Sequence, residues 1–143
     1  MPKKHVSFCD FRVILQTVEV YEPEANCWKF VAEMSARRSG AAVGILNGFL
    51  YAVGGHDGPI VRQSVERYNP ASDTWTTVAD MNNCRRNAGI VTHNGSLYII
   101  GGDDGSQNLT SMEVEPLLNI CHICNYKHHH HSYIFPPGVQ SDQ

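Results

Sequence analysis

One phrase occurs twice in this chain: an Asn-Gly pair, then an alternating apolar run that stops on Gly-Gly. It limits what the chain can fold into more than any other feature. The first copy reads Asn47-Gly48-Phe49-Leu50-Tyr51-Ala52-Val53-Gly54-Gly55-His56-Asp57-Gly58. The second reads Asn94-Gly95-Ser96-Leu97-Tyr98-Ile99-Ile100-Gly101-Gly102-Asp103-Asp104-Gly105. Asn-Gly between apolar runs predicts a two-residue hairpin, because both turn residues take φ > 0 and these two types do so cheaply. Gly-Gly at the strand's end leaves room for another backbone to approach. Asn47 recurs at 94, Gly54 at 101 and Asp57 at 104, a constant spacing of 47 residues. A fixed spacing over several anchors is an internal repeat.

The repeat extends in both directions. Val18-Glu19-Val20-Tyr21-Glu22-Pro23 matches Val65-Glu66-Arg67-Tyr68-Asn69-Pro70, Trp28 matches Trp75, and Met34 matches Met81. One unit is then four short strands, Ala41 to Leu46, Phe49 to Gly54, Ser64 to Tyr68 and Thr74 to Ala79, with no helical period between them. Repeated four-stranded units with Gly and aromatic anchors predict an all-β fold of propeller blades. One full antiparallel blade (41–79) is flanked by two partial ones (17–34 and 88–115), so 17–115 is a partial propeller. Residues 1–16 belong to no repeat, and 116–143 read as a disordered His-rich tail. About 4–8 blades close a ring, so these sheets are expected to form an open wedge whose outer faces lack neighbours.

Charge and cysteine usage exclude other classes. Fourteen acidic residues against 11 Lys and Arg give a formal charge of −3. No basic stripe marks a nucleic-acid or anionic-membrane partner, and no run is long and apolar enough to span a bilayer. Lys3 and Lys4 precede an apolar run broken by Asp10 and Arg12, a poor signal peptide. Five scattered cysteines fit free thiols in a reducing compartment, hence a cytoplasmic location.

Gly-Gly after a hairpin, with Tyr and Trp at fixed offsets downstream, resembles the kelch repeat. Arg37-Arg38-Ser39-Gly40, Gly54-Gly55-His56-Asp57-Gly58-Pro59, Cys84-Arg85-Arg86-Asn87-Ala88-Gly89 and Gly101-Gly102-Asp103-Asp104-Gly105 resemble in particular the BTB-kelch group, ring-canal kelch and its kelch-like relatives. The resemblance covers about residues 17–114. It implies a non-catalytic protein-binding propeller. In that family a BTB domain dimerises and binds a cullin scaffold, and the propeller presents substrates for ubiquitination. Some members bind actin, which would add a cytoskeletal association. This chain carries no BTB-like segment, so it reads as a fragment and cullin binding is not expected. The register also stops: the spacing calls for Tyr, Trp and Met at 115, 122 and 128, where the chain has Glu115, His122 and His128. A truncated product without independent activity is the alternative.

Trp28, Trp75, Tyr51 and Tyr98 are expected to pack one sheet on the next. Binding groups are expected on the loops, which a propeller gathers on its flat faces. Arg38, Ser39, Arg86 and Asn87 precede the first strand of a blade, while His56 and Asp103 follow the second. A hairpin brings those positions to one end of the sheet. A guanidinium fork there suits a carboxylate, and the family's use of this face points to an acidic peptide. Each arginine could instead form an inter-blade ion pair with Glu19, Glu66 or Glu113; Arg37 and Arg85 are open between the two. Asp57 and Asp104, each before a glycine, read as turn formers rather than ligands.

Cys121, Cys124 and His128 have zinc-like spacing but no periodic surroundings to build a second shell. They form a weak metal candidate and a second alternative function. No cofactor is expected. No Ser-His-Asp grouping or phosphate-binding glycine loop stands out, so an enzyme is not expected either.

Overall fold

The computed structural model describes residues 5–7 and 15–116. Twelve strands form three stacked antiparallel sheets and one small hairpin. The middle sheet holds β4 (Ala42–Leu46), β5 (Phe49–Val53), β8 (Val65–Asn69) and β9 (Thr74–Thr77), in that order. The four strands expected from the repeat are therefore present, with ends within two residues of those expected. Asn47 and Gly48 take φ of 50° and 81°, and Asn94 and Gly95 take 46° and 73°. Both hairpins thus turn with two positive-φ residues, which matches the right-handed twist of the strands they join.

The first sheet holds β1 (His5–Ser7), β2 (Val18–Glu22) and β3 (Cys27–Val31); the third holds β10 (Gly89–His93), β11 (Ser96–Ile100) and β12 (Met112–Pro116). Residues 1–16, expected to stand outside the repeat, supply β1. It lies beside β2 as β5 lies beside β8. A further hairpin, β6 (His56–Asp57) with β7 (Ile60–Val61), projects from the β5–β8 connection. Among the described residues there is no helix and no closed ring. The tail expectation, and with it Cys121, Cys124 and His128, falls outside the described residues, Pro116 apart.

The core lies between the sheets. Tyr51, Val53 and Val65 of the middle sheet pack with Leu97 and Ile99 of the third, closed below by Met81. Val18 and Met34 pack with Ala52 on the other side, with Trp75 against them. Trp75 also donates to the Ala32 carbonyl at 2.8 Å, so it binds its own sheet to the preceding one, as its spacing suggested. Trp28 occupies the same repeat position but is 47% exposed, because no described strand lies beyond it. Gly54 explains the Gly-Gly rule: at φ 63°, a Cβ there would run into the Arg85 carbonyl. Gly55 donates to that same oxygen at 2.8 Å.

Candidate functional site

The loops that enter each sheet and the loops that leave β5 and β11 meet at one end, joined by backbone bridges. Ser39 N donates to His56 O at 2.9 Å and His56 N returns to Ser39 O at 2.8 Å. One repeat later, Arg86 N donates to Asp103 O at 2.9 Å and Asp103 N to Arg86 O at 3.0 Å. The two bridges are neighbours, since Asn87 N donates to Gly40 O at 2.8 Å. Ser39, His56, Arg86, Asn87 and Asp103 thus share one end of two adjacent sheets.

Their side chains differ in how free they are. Asn87 is exposed and holds φ 55°, a conformation asparagine tolerates. His56 is half-buried, with Nδ1 3.0 Å from the Gly58 carbonyl. Arg86 is 31% exposed along its side chain and donates from Nε to Asp103 Oδ1 at 2.7 Å. The surface also carries a three-membered charge cluster that the sequence did not single out. Asp57 Oδ2 lies 3.2 Å from Arg37 Nη2 and 3.6 Å from Arg62 Nη2. Asp57, expected to be a turn former, therefore holds two cations as well. Asp104 does cap its own turn: its Oδ1 accepts from Ser106 Oγ and N and from Gln107 N. Those bonds, the Ser106 hydroxyl first, pull its carboxyl down to about 2.

Arg38 does not belong to this surface. Its side chain is 1% exposed, as is that of Glu66, and Nε and Nη2 reach Glu66 Oε1 at 3.0 and 2.9 Å. The rest of its guanidinium is spent on Gly54 O, Ser64 O and Ser64 Oγ, at 2.7–2.8 Å. Arg85 repeats the arrangement with Glu113, Gly101 O, Ser111 O and Ser111 Oγ. Arg38, expected on the binding face, and Arg85, open between the two readings, both form buried ion pairs instead, to Glu66 and Glu113 respectively. The repeat spacing itself carried the signal: counting 47 from Arg38 arrives at Arg85, from Ser39 at Arg86, and from Gly40 at Asn87. Grouping Arg38 with Arg86 slipped the register by one residue.

These buried pairs are satisfied at every polar corner, the condition under which a buried charge is tolerated. Burial draws the Arg38 guanidinium below its ordinary value, and the Glu66 carboxylate opposes that shift. Burial alone would raise the Glu113 carboxyl. Hydrogen bonds from Asn82 N, Arg85 and Asn83 outweigh it and hold the group below the usual carboxylate range. The connecting segments touch both neighbours. Arg85 donates its N–H to Arg62 O at 3.0 Å, accepts from Gly55 N, and sends its guanidinium forward into the third sheet. Among the described residues no three His, Cys, Asp or Glu side chains converge as a metal site.

The family model described as Kelch motif matches residues 9–35, 37–82 and 84–114. Kelch-like ECH-associated protein 1B of Danio rerio is 45% identical over 42 residues, 29% of this chain and 7% of that protein. Influenza virus NS1A-binding protein homolog B of Danio rerio is 44% identical over 44 residues, 31% of this chain and 7% of that one. The chain therefore spans well under a tenth of either relative. The solved structure of YjhT matches 63% of this chain and 29% of its own at a TM-score of 0.56 and 21% identity, a likeness of fold alone.

Proposed function

The chain belongs to the kelch-repeat family, and on that premise we propose that it is a non-catalytic protein-binding module whose loop face takes an acidic peptide segment of a partner protein. The mode would be that of the substrate-recognition propeller of a cullin-type ubiquitin-ligase adaptor. Cullin binding itself is outside the proposal, since the matched residues are kelch repeats alone. The names of both relatives, an ECH-associated and an NS1A-binding protein, support a protein as the ligand class. A cytoplasmic setting, with actin as one candidate partner, goes with this reading.

The observation that carries it is the adjacent pair of bridged loops. They present Ser39, His56, Arg86, Asn87 and Asp103 together, with the cations of Arg37 and Arg62 nearby. Arg38 is no longer among the contacts. Arg86 is held by Asp103 in the free protein, so an incoming carboxylate exchanges with one already there. That exchange makes the guanidinium selective for ligands whose other groups reach Ser39, His56 or Asn87. Titrating a fluorescent Glu-rich peptide against the full chain tests this. Arg86→Ala is expected to weaken binding by about 1.5–3 kcal/mol, the usual worth of a charge-assisted hydrogen bond. Equal affinity of the variant, with its amide-exchange pattern unchanged, overturns the assignment.

A second reading, a product without independent activity, is favoured by apolar side chains left open on the outer sheets, Phe30, Ile100 and Met112 among them. Such surface drives association. Sedimentation showing only large aggregates would select it.

A further inference from the structure

The outer edge of β12 is where the third sheet departs from the middle one. In the middle sheet β9 lines the edge of β8, pairing Tyr68 with Trp75 and Asn69 with Thr74. Two side chains of that outer segment then fasten it to the preceding sheet. Asp73 Oδ1 accepts from Ala32 N at 2.8 Å, and Trp75 Nε1 donates to Ala32 O at 2.8 Å. The N–H and the C=O of half-buried Ala32 are thereby taken by an acid and an indole two residues apart. The first sheet carries the same spacing in Asn26 and Trp28.

The third sheet repeats every receiving part. β12 pairs with β11 in the register of β8 with β5, Tyr98 opposite Val114 as Tyr51 is opposite Arg67. Met81, Val65 and Ile99 stand where Met34, Val18 and Ala52 surround Trp75. Ala79 stands where Ala32 does, and it is exposed. Among the described residues no strand lies along the edge of β12 opposite β11, and no side chain takes Ala79 N or O. Met112 and Val114 on that strand are 49% and 41% exposed. One repeat on from Asp73 and Trp75, the chain's own sequence has Ile120 and His122, which offer neither carboxylate nor indole.

We propose that the edge of β12, together with Ala79, is a docking site for an extended partner segment carrying Asp or Asn, any residue, then Trp, which adds as the fourth strand of the third sheet. Main-chain bonds along β12 supply affinity, as in other strand additions. The acid and the indole supply specificity by closing on Ala79 as Asp73 and Trp75 close on Ala32. This surface is separate from the loop face, and the proposal stands whether or not that face binds an acidic peptide.

The probe is a labelled ten-residue peptide with the sequence of residues 69–78, titrated against the full chain. Saturable binding is expected, accompanied by new amide-exchange protection at Met112–Val114 and at Ala79. Peptides carrying Trp75→Ala or Asp73→Ala are expected to bind about tenfold more weakly or worse, the loss of one buried aromatic or charge-assisted contact. Four outcomes overturn the proposal. They are no saturable binding, equal binding of the Trp75→Ala peptide, protection confined to the middle sheet through exchange with β9, and a β12 edge already protected in the free chain by its own tail.

Discussion

Arg85 and Arg86 are neighbours in the chain and opposites in the fold. Arg85 is buried, and four groups of the third sheet, two of them backbone carbonyls and two the carboxylate and hydroxyl of Glu113 and Ser111, consume its guanidinium. Arg86 leans over the surface against one aspartate. A single peptide bond separates a cation buried between the sheets from a cation partly exposed at the surface. Residue type and charge are identical, so neither decides the role. The repeat position does: the residue on the Arg38 register goes inward, and the residue on the Ser39 register goes outward. The exposed register carries serine in one unit and arginine in the next, while the buried one carries arginine in both.

The contrast can be broken most forcefully from the inside. Arg38→Ala leaves Glu66 buried without its partner, and removal of one member of a buried pair costs about 3–5 kcal/mol. Urea denaturation should register that loss, and a variant within 1 kcal/mol of the parent would mean the pair is not buried in solution. Gly54→Ala attacks the same junction through the backbone. It combines a positive φ with a collision against the Arg85 carbonyl, and about 1–3 kcal/mol of strain is expected. Gly48→Ala, with φ 81° but open space around it, should cost less, and the difference between the two isolates the collision.

Acid gives a third, milder handle. Glu113 titrates below its unfolded value, so its contribution is complete above about pH 4–5. It is lost as pH falls through the lower, folded value. The Asn82 and Asn83 amides that donate to it should then exchange faster at pH 3 than at pH 6, after correction for intrinsic rates. Protection unchanged down to the pH at which the fold itself is lost would show that the carboxylate is not the acceptor. The smallest effect belongs outside. Arg86→Ala should change stability by only about 0.2–1 kcal/mol, the range for exposed ion pairs, and a loss near that of Arg38→Ala would erase the distinction.

The legible part of this molecule was its periodic part. Asn47-Gly48 and Asn94-Gly95 announced their turns because few residue pairs accept two positive φ values. Trp75 and Tyr51 announced the packing because they recur with the strands they serve. The convergence of Ser39 with His56 and of Arg86 with Asp103 also followed from hairpin geometry. What could not be read locally was which arginine of each pair faces in, since that depends on Glu66 and Ser64 lying across a sheet not yet assembled. The spacing of 47 residues pairs Arg38 with Arg85, although the Arg-Arg words themselves are offset by one residue. β1 was missed for a different reason. Three residues are too few to show a period, and their strand character comes from the waiting edge of β2. The cluster of Arg37, Arg62 and Asp57 escaped because Arg37 comes from the segment before β4, while Asp57 lies in the β6–β7 hairpin and Arg62 directly follows it.

The Arg–Glu pairs have a consequence for the order in which the chain can settle. In each, the arginine precedes its glutamate by 28 residues. On a ribosome, which releases the amino end first, the β4–β5 hairpin forms while Arg38 still lacks Glu66. Its guanidinium must stay hydrated until β8 emerges. The hairpin therefore cannot dry its base early, and the nascent unit remains a loosely held ribbon for most of its own synthesis. Closure then waits for the third strand, when the Glu66 carboxylate and the Ser64 hydroxyl and carbonyl join the Gly54 carbonyl already in place. Such a timer keeps a half-made unit wet, at the cost of leaving its apolar face open to wrong neighbours in the meantime.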